Sequence, residues 1–431
     1  MRGAVSKSSA VLVRPSSVAV SGDIIKLSPY DEMFVGATNT ALLVFSDPII
    51  HAGEGETAAE RIKAALSEAL VHFPLLAGRL VRGGADGNHI ACTSEGVLFV
   101  AASSSASIKD VKYSEMGGSP LLEELAVSYP PEGCGRHDPL LLMQVTQFPC
   151  GGFVVGITSS HAASDGAGMG QFMQAVGELA RGLPAPAVVP VTRDDSLKAL
   201  PPYMGGVVRV IERILRGSRG HDLSLLGVTI SSDLINRARD ASGGCTVFEA
   251  VTAVLWRCRT RATMADQDAD APTALSISID ARRYVGASHG YYRNCTVVHL
   301  AVAKAGLVAN ASIVDLVRLI QHAKHQLPRT MMQEDLGLDL EMTHKLDFYN
   351  LCVVTHWGNM GLAATDFGAG KPATLLGYRK SQSRFPSNII TRNNGNDGGC
   401  NVLSSTVTEE HAQAFLHELA SVSSSSSSLV M

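Results

Sequence analysis

One stretch of the chain, residues 151–166, limits most strongly what the protein can fold into. It places a run of mostly β-branched and aromatic residues, 153–157, before a series of small residues that surround His161. Residues 167–181 then repeat apolar side chains at the spacing of a helix face. The pattern predicts a buried strand, a turn and a helix, with one imidazole presented on the turn. Small neighbours would leave room for a substrate to approach that ring.

Composition indicates a packed protein of more than one domain. The chain has 431 residues, which predicts two or three domains, and 45% of them are hydrophobic while 18% are charged. The formal net charge of −4 gives no general attraction to nucleic acid or to an anionic membrane. A polyanionic ligand would therefore need a local basic patch.

The cysteines favour a reducing compartment, and the apolar runs give no sign of a membrane span or a secretory signal. Eight cysteines form no C-x-x-C pair and lie mostly within apolar runs, which favours buried free thiols over a disulfide framework or a zinc site. No apolar run reaches the length of a membrane span, and the first twenty residues lack a secretory core. We expect a cytoplasmic monomer with no metal and no permanently bound cofactor.

The crossover segment 184–222 is the predicted domain boundary because five prolines cluster in it without a sustained period. It separates an N-terminal domain, 1–183, from a C-terminal domain, 223–431. Ligand sites favour such interfaces, so a base presented from the first domain toward the second would lie where a pocket is expected. Near the end, a helix is predicted over 411–419, and the serine run 423–428 is expected to be disordered.

Ordered motifs resemble those of one enzyme family. His161 and Asp165 have the spacing H-x-x-x-D, residues 280–282 read D-x-R, and residues 290–294 read Gly-Tyr-x-x-Asn. Residues 366–370 read DFGAG. In this order they resemble the BAHD acyltransferases, plant enzymes that move an acyl group from coenzyme A to an alcohol or amine. Their second signature is DFGWG, so alanine stands here for tryptophan.

The resemblance implies a fold and a reaction. It implies an α/β fold of two similar mixed-sheet domains, like chloramphenicol acetyltransferase, with a channel between them. It implies transfer of an acyl group, expected to be aromatic (hydroxycinnamoyl or benzoyl), from acyl-CoA to a small alcohol or amine. His161 would be the general base, and Asp165 would turn away to pair with Arg282. The second signature would be structural, through its members Asp366, Phe367, Gly368 and Gly370, with Ala369 between the last two.

Further site residues are weaker candidates. For the developing oxyanion or the acceptor the sequence offers Thr355 or Trp357, which could equally be packing residues at a strand end. For coenzyme A it offers Thr246, Arg283 and Lys371, because phosphates favour hydroxyls, backbone donors and fixed cations. Thr246 also starts a capping box with a glutamate at 249, so it could be an ordinary cap.

Three other interpretations stay open from the sequence. His161 could be a satisfied histidine at a strand end. Residues 286–290 read G-x-S-x-G, the nucleophile elbow of serine hydrolases with Ser288 as nucleophile, although that elbow needs a helix directly after it. The fold could also persist as an acyl-CoA-binding homologue without activity.

Overall fold

The computed structural model describes most of the chain: residues 4–17, 22–50, 55–81, 83, 87–113, 119–197, 199–217, 222–264, 268–330, 340–379, 386–393 and 398–424.

Within these residues the strands follow the β-branched and aromatic runs. They are β1 (Val5–Lys7), β2 (Val11–Val13), β3 (Ile24–Lys26), β4 (Thr38–Phe45), β5 (Arg79–Val81), β6 (His89–Ala91), β7 (Val97–Ser104), β8 (Leu141–Gln147), β9 (Phe153–Ser160), β10 (Leu226–Ile230), β11 (Pro272–Asp280), β12 (Thr296–Lys304), β13 (Leu351–His356), β14 (Thr374–Tyr378), β15 (Ser387–Arg392) and β16 (Cys400–Ser405).

The helices begin mostly at polar caps. They are α1 (Pro29–Glu32), α2 (Ala58–His72), α3 (Pro120–Glu124), α4 (Gly166–Ala180), α5 (Pro202–Gly217), α6 (Ser232–Ala241), α7 (Val247–Thr263), α8 (Arg282–Val285), α9 (Ala305–Asn310), α10 (Ile313–Thr330), α11 (Leu340–Lys345) and α12 (Glu409–Ser424). Short 3₁₀ turns lie at Pro74–Ala77, Ile108–Asp110, Phe348–Asn350 and Leu362–Ala364. The capping box predicted at Thr246 is confirmed, since its side chain accepts from the Glu249 backbone and the Glu249 side chain accepts from the Thr246 backbone.

Two mixed sheets form the two halves of the molecule. The first has the order β1-β7-β8-β9-β4-β14, with β2 also pairing with β7. The second has the order β10-β16-β15-β13-β11-β12, and a small third sheet has the order β3-β6-β5. All eight residues of β9 are buried, and the first five, 153–157, have no polar side chain, because a central strand covered on both faces does not alternate.

The first sheet contains a strand from the far end of the chain. β14 pairs antiparallel with β4, from Thr374 opposite Val44 to Tyr378 opposite Thr40. The boundary expected at 184–222 stays a prediction, but a single cut there does not separate the two sheets. The crossover segment also contains α5, whose buried side chains pack in one cluster with those of β12.

At the C-terminus, α12 is longer than the sequence predicted. It runs from Glu409 to Ser424 and so includes the first two serines of the run expected to be disordered. Residues 425–428 of that run lie outside the described residues.

Two absences concern the described part of the chain only. None of its helices combines the length and the apolar character that a membrane crossing requires. Nor do its histidines, cysteines and carboxylates form a group of three that could hold a metal ion.

Candidate active site

His161 lies at the edge of the first sheet, where β9 ends. The register between β4 and β9 finishes with Thr38 opposite Ser160, and the His161 backbone N–H then donates to the Ala37 carbonyl at 2.8 Å. The helix α4 begins five residues later, with Asp165 as its N-cap accepting from the Gly168 backbone N–H at 3.0 Å. The strand, turn and helix predicted around this imidazole are therefore confirmed.

The tautomer of His161 follows from its contact with Asn294. The Asn294 amide N–H₂ donates to the His161 carbonyl at 2.8 Å and to Asp31 Oδ1 at 2.9 Å. Its other atom, Oδ1, is an acceptor and lies 3.0 Å from His161 Nδ1. Nδ1 must then carry the proton, because an amide oxygen can only accept. The lone pair of the ring is left on Nε2.

Burial keeps the His161 ring in its neutral form. Desolvation lowers the pKa of His161 below its usual value, and it outweighs the raising effect of the Asp165 and Asp31 carboxylates. Both carboxylates have their own countercharge, Arg282 and Arg293 respectively. A neutral imidazole with a free Nε2 can accept a proton at pH 7.

Behind Asn294 lies a fully buried carboxylate, Asp31. It belongs to the short helix α1, where it forms a capping box with Ser28: the Ser28 backbone N–H donates to Oδ2 at 2.8 Å and the hydroxyl at 2.6 Å. Arg293 forms an ion pair with the same carboxylate. The Asp31 carboxylate that holds the Asn294 amide is therefore itself fixed by Ser28 and Arg293.

The Asp165 carboxylate makes no hydrogen bond to His161; its oxygens accept hydrogen bonds from other residues. Arg282 donates to it with two nitrogens, at 3.0 and 2.8 Å, and the backbone N–H of Cys295 donates at 2.9 Å. Thr296 Oγ1 donates at 3.2 Å. Burial alone would raise the pKa of the Asp165 carboxyl, but the Arg282 charge and these hydrogen bonds together lower it. The structure therefore pairs Asp165 with Arg282, as the resemblance implied.

A cavity of about 640 Å³, called here the basic cavity, opens between the two halves. Asp165 and Gly166 of the turn line it from the first half, while His161 itself is not among its lining residues. The second half lines it with four cations, Arg239, Arg282, Lys324 and Arg392. Arg282 is paired with Asp165 and Lys324 with Glu249, so the positive field comes mainly from Arg239 and Arg392.

The three candidates for coenzyme A lie in different places. Thr246 lines the basic cavity at the N-terminus of α7. Arg283 lines a second cavity of about 570 Å³, and its guanidinium lies over the ring of the next residue, Tyr284. Lys371 is exposed just before β14 and lines neither cavity.

The residue between the two oxyanion candidates was missed. His356 lines the basic cavity, and burial, with a contribution from the Arg392 charge, lowers its pKa to about 4. Thr355, half-buried on β13, and Trp357, buried in the core of the first half, do not line this cavity. Alternation along β13 predicts that Thr355 and His356 point to opposite faces, but it does not predict which of the two faces the cavity.

The environment of Ser288 contradicts a nucleophile elbow. Ser288 is exposed, and its backbone N–H donates to Asp194 Oδ2 at 2.6 Å. Residues 289–295, all of them described, contain no helix and lead into β12. The elbow requires a helix directly after the serine, so the hydrolase interpretation is wrong.

The second signature packs against the first half. Phe367 is fully buried, with its ring centroid 5.3 Å from that of Phe45. Asp366 accepts from the Gly368 backbone N–H at 2.7 Å and forms an ion pair with Arg181 at 3.4 Å. Gly368 and Gly370 both have positive φ, 100° and 76°, a conformation that explains glycine at each. Ala369 is half-buried against the same core.

The sequence did not single out the two partners of the imidazole, Asn294 and Phe34. Asn294 ends the Gly-Tyr-x-x-Asn match, so its position was noted without a role. Phe34 stacks on the His161 ring, with centroids 3.9 Å apart. It follows a short helix and belongs to no periodic pattern, so no local signal identified it.

Known proteins resemble this chain over nearly its whole length. A family model described as "Transferase family" matches residues 4–214 and 225–421. Acyl transferase 15 of Oryza sativa subsp. japonica is 42% identical over 96% of this chain and 98% of its own length. A myricetin 3-O-glucosyl 1,2-rhamnoside 6'-O-caffeoyltransferase of Crocosmia x crocosmiiflora is 32% identical over the same shares of the two chains.

The expected fold is also confirmed. The crystal structure of vinorine synthase superimposes with a TM-score of 0.74 at 19% identity, over 97% of this chain and 98% of that one. At this identity the likeness concerns the fold, which is the α/β arrangement of two mixed sheets predicted from the sequence. The family model and the rice relative carry the stronger conclusion: the chain belongs to the Transferase family, the plant acyl-CoA-dependent acyltransferases known as BAHD enzymes.

Proposed function

We propose that His161 is the general base of a direct acyl transfer from acyl-CoA to a hydroxyl or amine. The observation that carries this proposal is the neutral ring whose Nδ1–H is held by Asn294, because it leaves Nε2 as the only nitrogen able to accept a proton. General-base catalysis of this kind contributes about 10²- to 10⁴-fold to a rate.

The proton takes a closed path. Nε2 accepts the acceptor's proton as the hydroxyl or amine attacks the thioester carbonyl, and a tetrahedral intermediate forms. When it collapses, the carbon–sulfur bond breaks and the His161 imidazolium returns the proton to the leaving thiolate of coenzyme A. No acyl-enzyme is needed. Thr355 and Trp357 remain the proposed contributors to oxyanion or acceptor binding.

Coenzyme A would occupy the basic cavity. Its phosphates suit Arg239 and Arg392, together with Lys324, which is also paired with Glu249. The first backbone N–H groups of α7 lie beside Thr246. Arg283 and Lys371 lie outside this cavity, which makes them weaker candidates for the same role.

For the acyl group we propose an aromatic acid of the hydroxycinnamoyl or benzoyl class. The Crocosmia relative is named for a caffeoyl group, which is a hydroxycinnamoyl group. The rice relative's name specifies no acyl group. The acceptor is proposed only as a small alcohol or amine.

We also propose that the enzyme acts as a cytoplasmic monomer. One chain supplies both walls of the basic cavity. All eight cysteines are free thiols, and seven of them are buried, which suits a reducing compartment. Light scattering after gel filtration would test the monomer.

The experiment is a free-thiol assay with acceptor pools and a panel of benzoyl-, coumaroyl-, feruloyl-, acetyl- and malonyl-CoA. Acceptor-dependent release of coenzyme A with an aromatic donor supports the proposal. We expect His161→Ala to lose about 10²- to 10⁴-fold of that rate. The matched control is His417→Ala, at an exposed position on α12, with wild-type rate expected. Undiminished turnover by His161→Ala would rule out the base, and binding of acyl-CoA without release would indicate an inactive homologue.

A further inference from the structure

Phe34 and His161 form a parallel aromatic stack. The ring centroids lie 3.9 Å apart and the planes differ by 11°. The contact covers one face of the imidazole, while Asn294 binds its edge through Nδ1. Both side chains of the stack are half-buried, so the opposite side of the pair is not sealed.

The stack and the hydrogen-bonded edge depend on the same short element. Phe34 follows Asp31 by three residues, and its backbone N–H donates to the Asp31 carbonyl at 3.0 Å. Asp31 in turn holds Asn294 through its side chain. Residues 29–34 thus restrain the imidazole in two directions. Asp31 acts through Asn294 in the plane of the ring, and Phe34 acts perpendicular to that plane.

We propose that Phe34 is a positioning residue for His161: its ring fixes the imidazole plane so that Nε2 keeps one direction during proton transfer. The inference rests on the proposed function of His161 as base. Phe34 touches no reacting atom in this role and acts only through the histidine.

Two effects of the stack on protonation oppose each other. An imidazolium would gain from lying over the electron-rich face of Phe34, which favours the charged ring. The same contact keeps water from that face, which disfavours it. The other charges facing the ring are Asp31 from α1 and Asp165 from the turn before α4, each compensated by an arginine. Burial is the largest cause of the lowered pKa of His161, and Phe34 covers one face of that ring, so we expect removal of the Phe34 ring to let water raise the pKa.

The test uses Phe34→Ala, Phe34→Leu and Phe34→Tyr in the full chain. Steady-state kinetics across pH would give kcat and KM, and NMR titration of the labelled His161 ring would give its pKa without turnover. For Phe34→Ala we expect kcat to fall about 10- to 100-fold, because a loosened catalytic group spends less time aligned. The KM for acyl-CoA should change little, since Phe34 does not line the basic cavity.

The direction of the pH change is the readout that a merely structural residue would not move. Water reaching the uncovered face should raise the pKa of His161 toward its usual value, so the acid limb of the rate profile moves to higher pH. Phe34→Tyr should have the wild-type kcat and the wild-type position of the acid limb. Phe34→Leu should lie between the wild type and Phe34→Ala in both quantities. The control Phe148→Ala empties a buried aromatic position in a different cluster, and it should lower stability without moving the limb.

Two results would overturn the proposal: wild-type kcat in Phe34→Ala, or an unchanged His161 titration. If Phe34→Ala fails to fold, Phe34→Leu is judged by the same two measurements. Full activity in His161→Ala would instead defeat the base itself. If His161→Ala is inactive while Phe34→Ala has the wild-type kcat, the positioning role of Phe34 is wrong and the role of His161 as base still stands.

Discussion

The two signature motifs each contain an aspartate paired with an arginine, but in different surroundings. In the turn at His161, Asp165 is 3% exposed and its partner Arg282 is 18% exposed. In the second signature, Asp366 is 30% exposed and Arg181 is 33% exposed. The buried Asp165 carboxylate accepts five hydrogen bonds. The outer Asp366 carboxylate accepts one, from the Gly368 backbone N–H, and lies 3.4 Å from Arg181, which also donates to the Asp366 backbone carbonyl.

An aspartate–arginine pair therefore contributes differently to stability in the two motifs, according to its burial. A buried carboxylate that loses its charge leaves its partner uncompensated in a medium of low polarity. When an ion pair near the surface is broken, water solvates both charges, so the free energy of unfolding changes little. The first pair therefore fixes the chain around the imidazole, while the second signature depends on its buried ring, Phe367.

The largest effect should come from Asp165→Asn, which should lower both stability and activity. The amide cannot neutralise Arg282, which keeps the exposed Asp280 at 3.0 Å as a weaker countercharge, so we expect a loss of about 3 kcal/mol in the free energy of unfolding. The turn that carries His161 should shift as well, so the rate per folded molecule should fall. Urea unfolding followed by fluorescence measures the first and the free-thiol assay the second. A loss below 1 kcal/mol would break the contrast between the two pairs.

Phe367→Ala should come next, since it should lower stability alone, by about 3–4 kcal/mol, because it empties a fully buried position against Phe45. Activity per folded molecule should stay close to that of the wild type, since Phe367 lines neither cavity. A large fall in that rate would mean that the second signature reaches the chemistry after all.

Acid should remove part of the stability contributed by the buried pair. The pKa of Asp165 is lower in the folded chain than in the unfolded one, so the unfolded state takes up the proton first as pH falls. Its contribution is complete above about pH 4, the usual range of an aspartate, and is lost as the pH falls toward the folded-state pKa. The free energy of unfolding of Asp165→Asn should therefore vary less steeply with acid than that of the wild type. Equal slopes would contradict the lowered pKa.

The smallest effect should come from Asp366→Asn, the matched change in the outer pair. The amide oxygen can still accept from the Gly368 backbone N–H, and the lost ion pair is partly exposed. We expect a change of about 0–1 kcal/mol. A loss comparable to that of Asp165→Asn would remove the distinction between the two sites.

Sequence patterns predicted what is local in this molecule. The strand and helix on either side of His161 follow from β-branched runs and helical spacing, and the cap at Thr246 follows from its glutamate three residues later. These features depend on neighbours in the chain, so their physical cause is contained in a short window.

Contacts between distant positions were beyond such patterns. Asn294 lies 133 residues from His161, and no local rule predicts that its amide would orient the ring. Phe34 is an isolated aromatic residue after a four-residue helix, which gives no periodicity to read. Trp357, directly after β13, is buried in the core while His356 lines the basic cavity, and packing between distant elements decides which of the two is buried.

The pairing of β14 with β4 has a consequence for how the polypeptide can be made and divided. A fragment ending before residue 374 would leave the outer edge of Thr38–Phe45 unpaired, and such an open edge invites association with other chains. During synthesis, the first sheet can be completed only after nearly nine-tenths of the polypeptide has left the ribosome. The first sheet therefore depends on residues from both halves of the chain, and we expect a fragment of residues 1–183 expressed alone to expose that edge and associate.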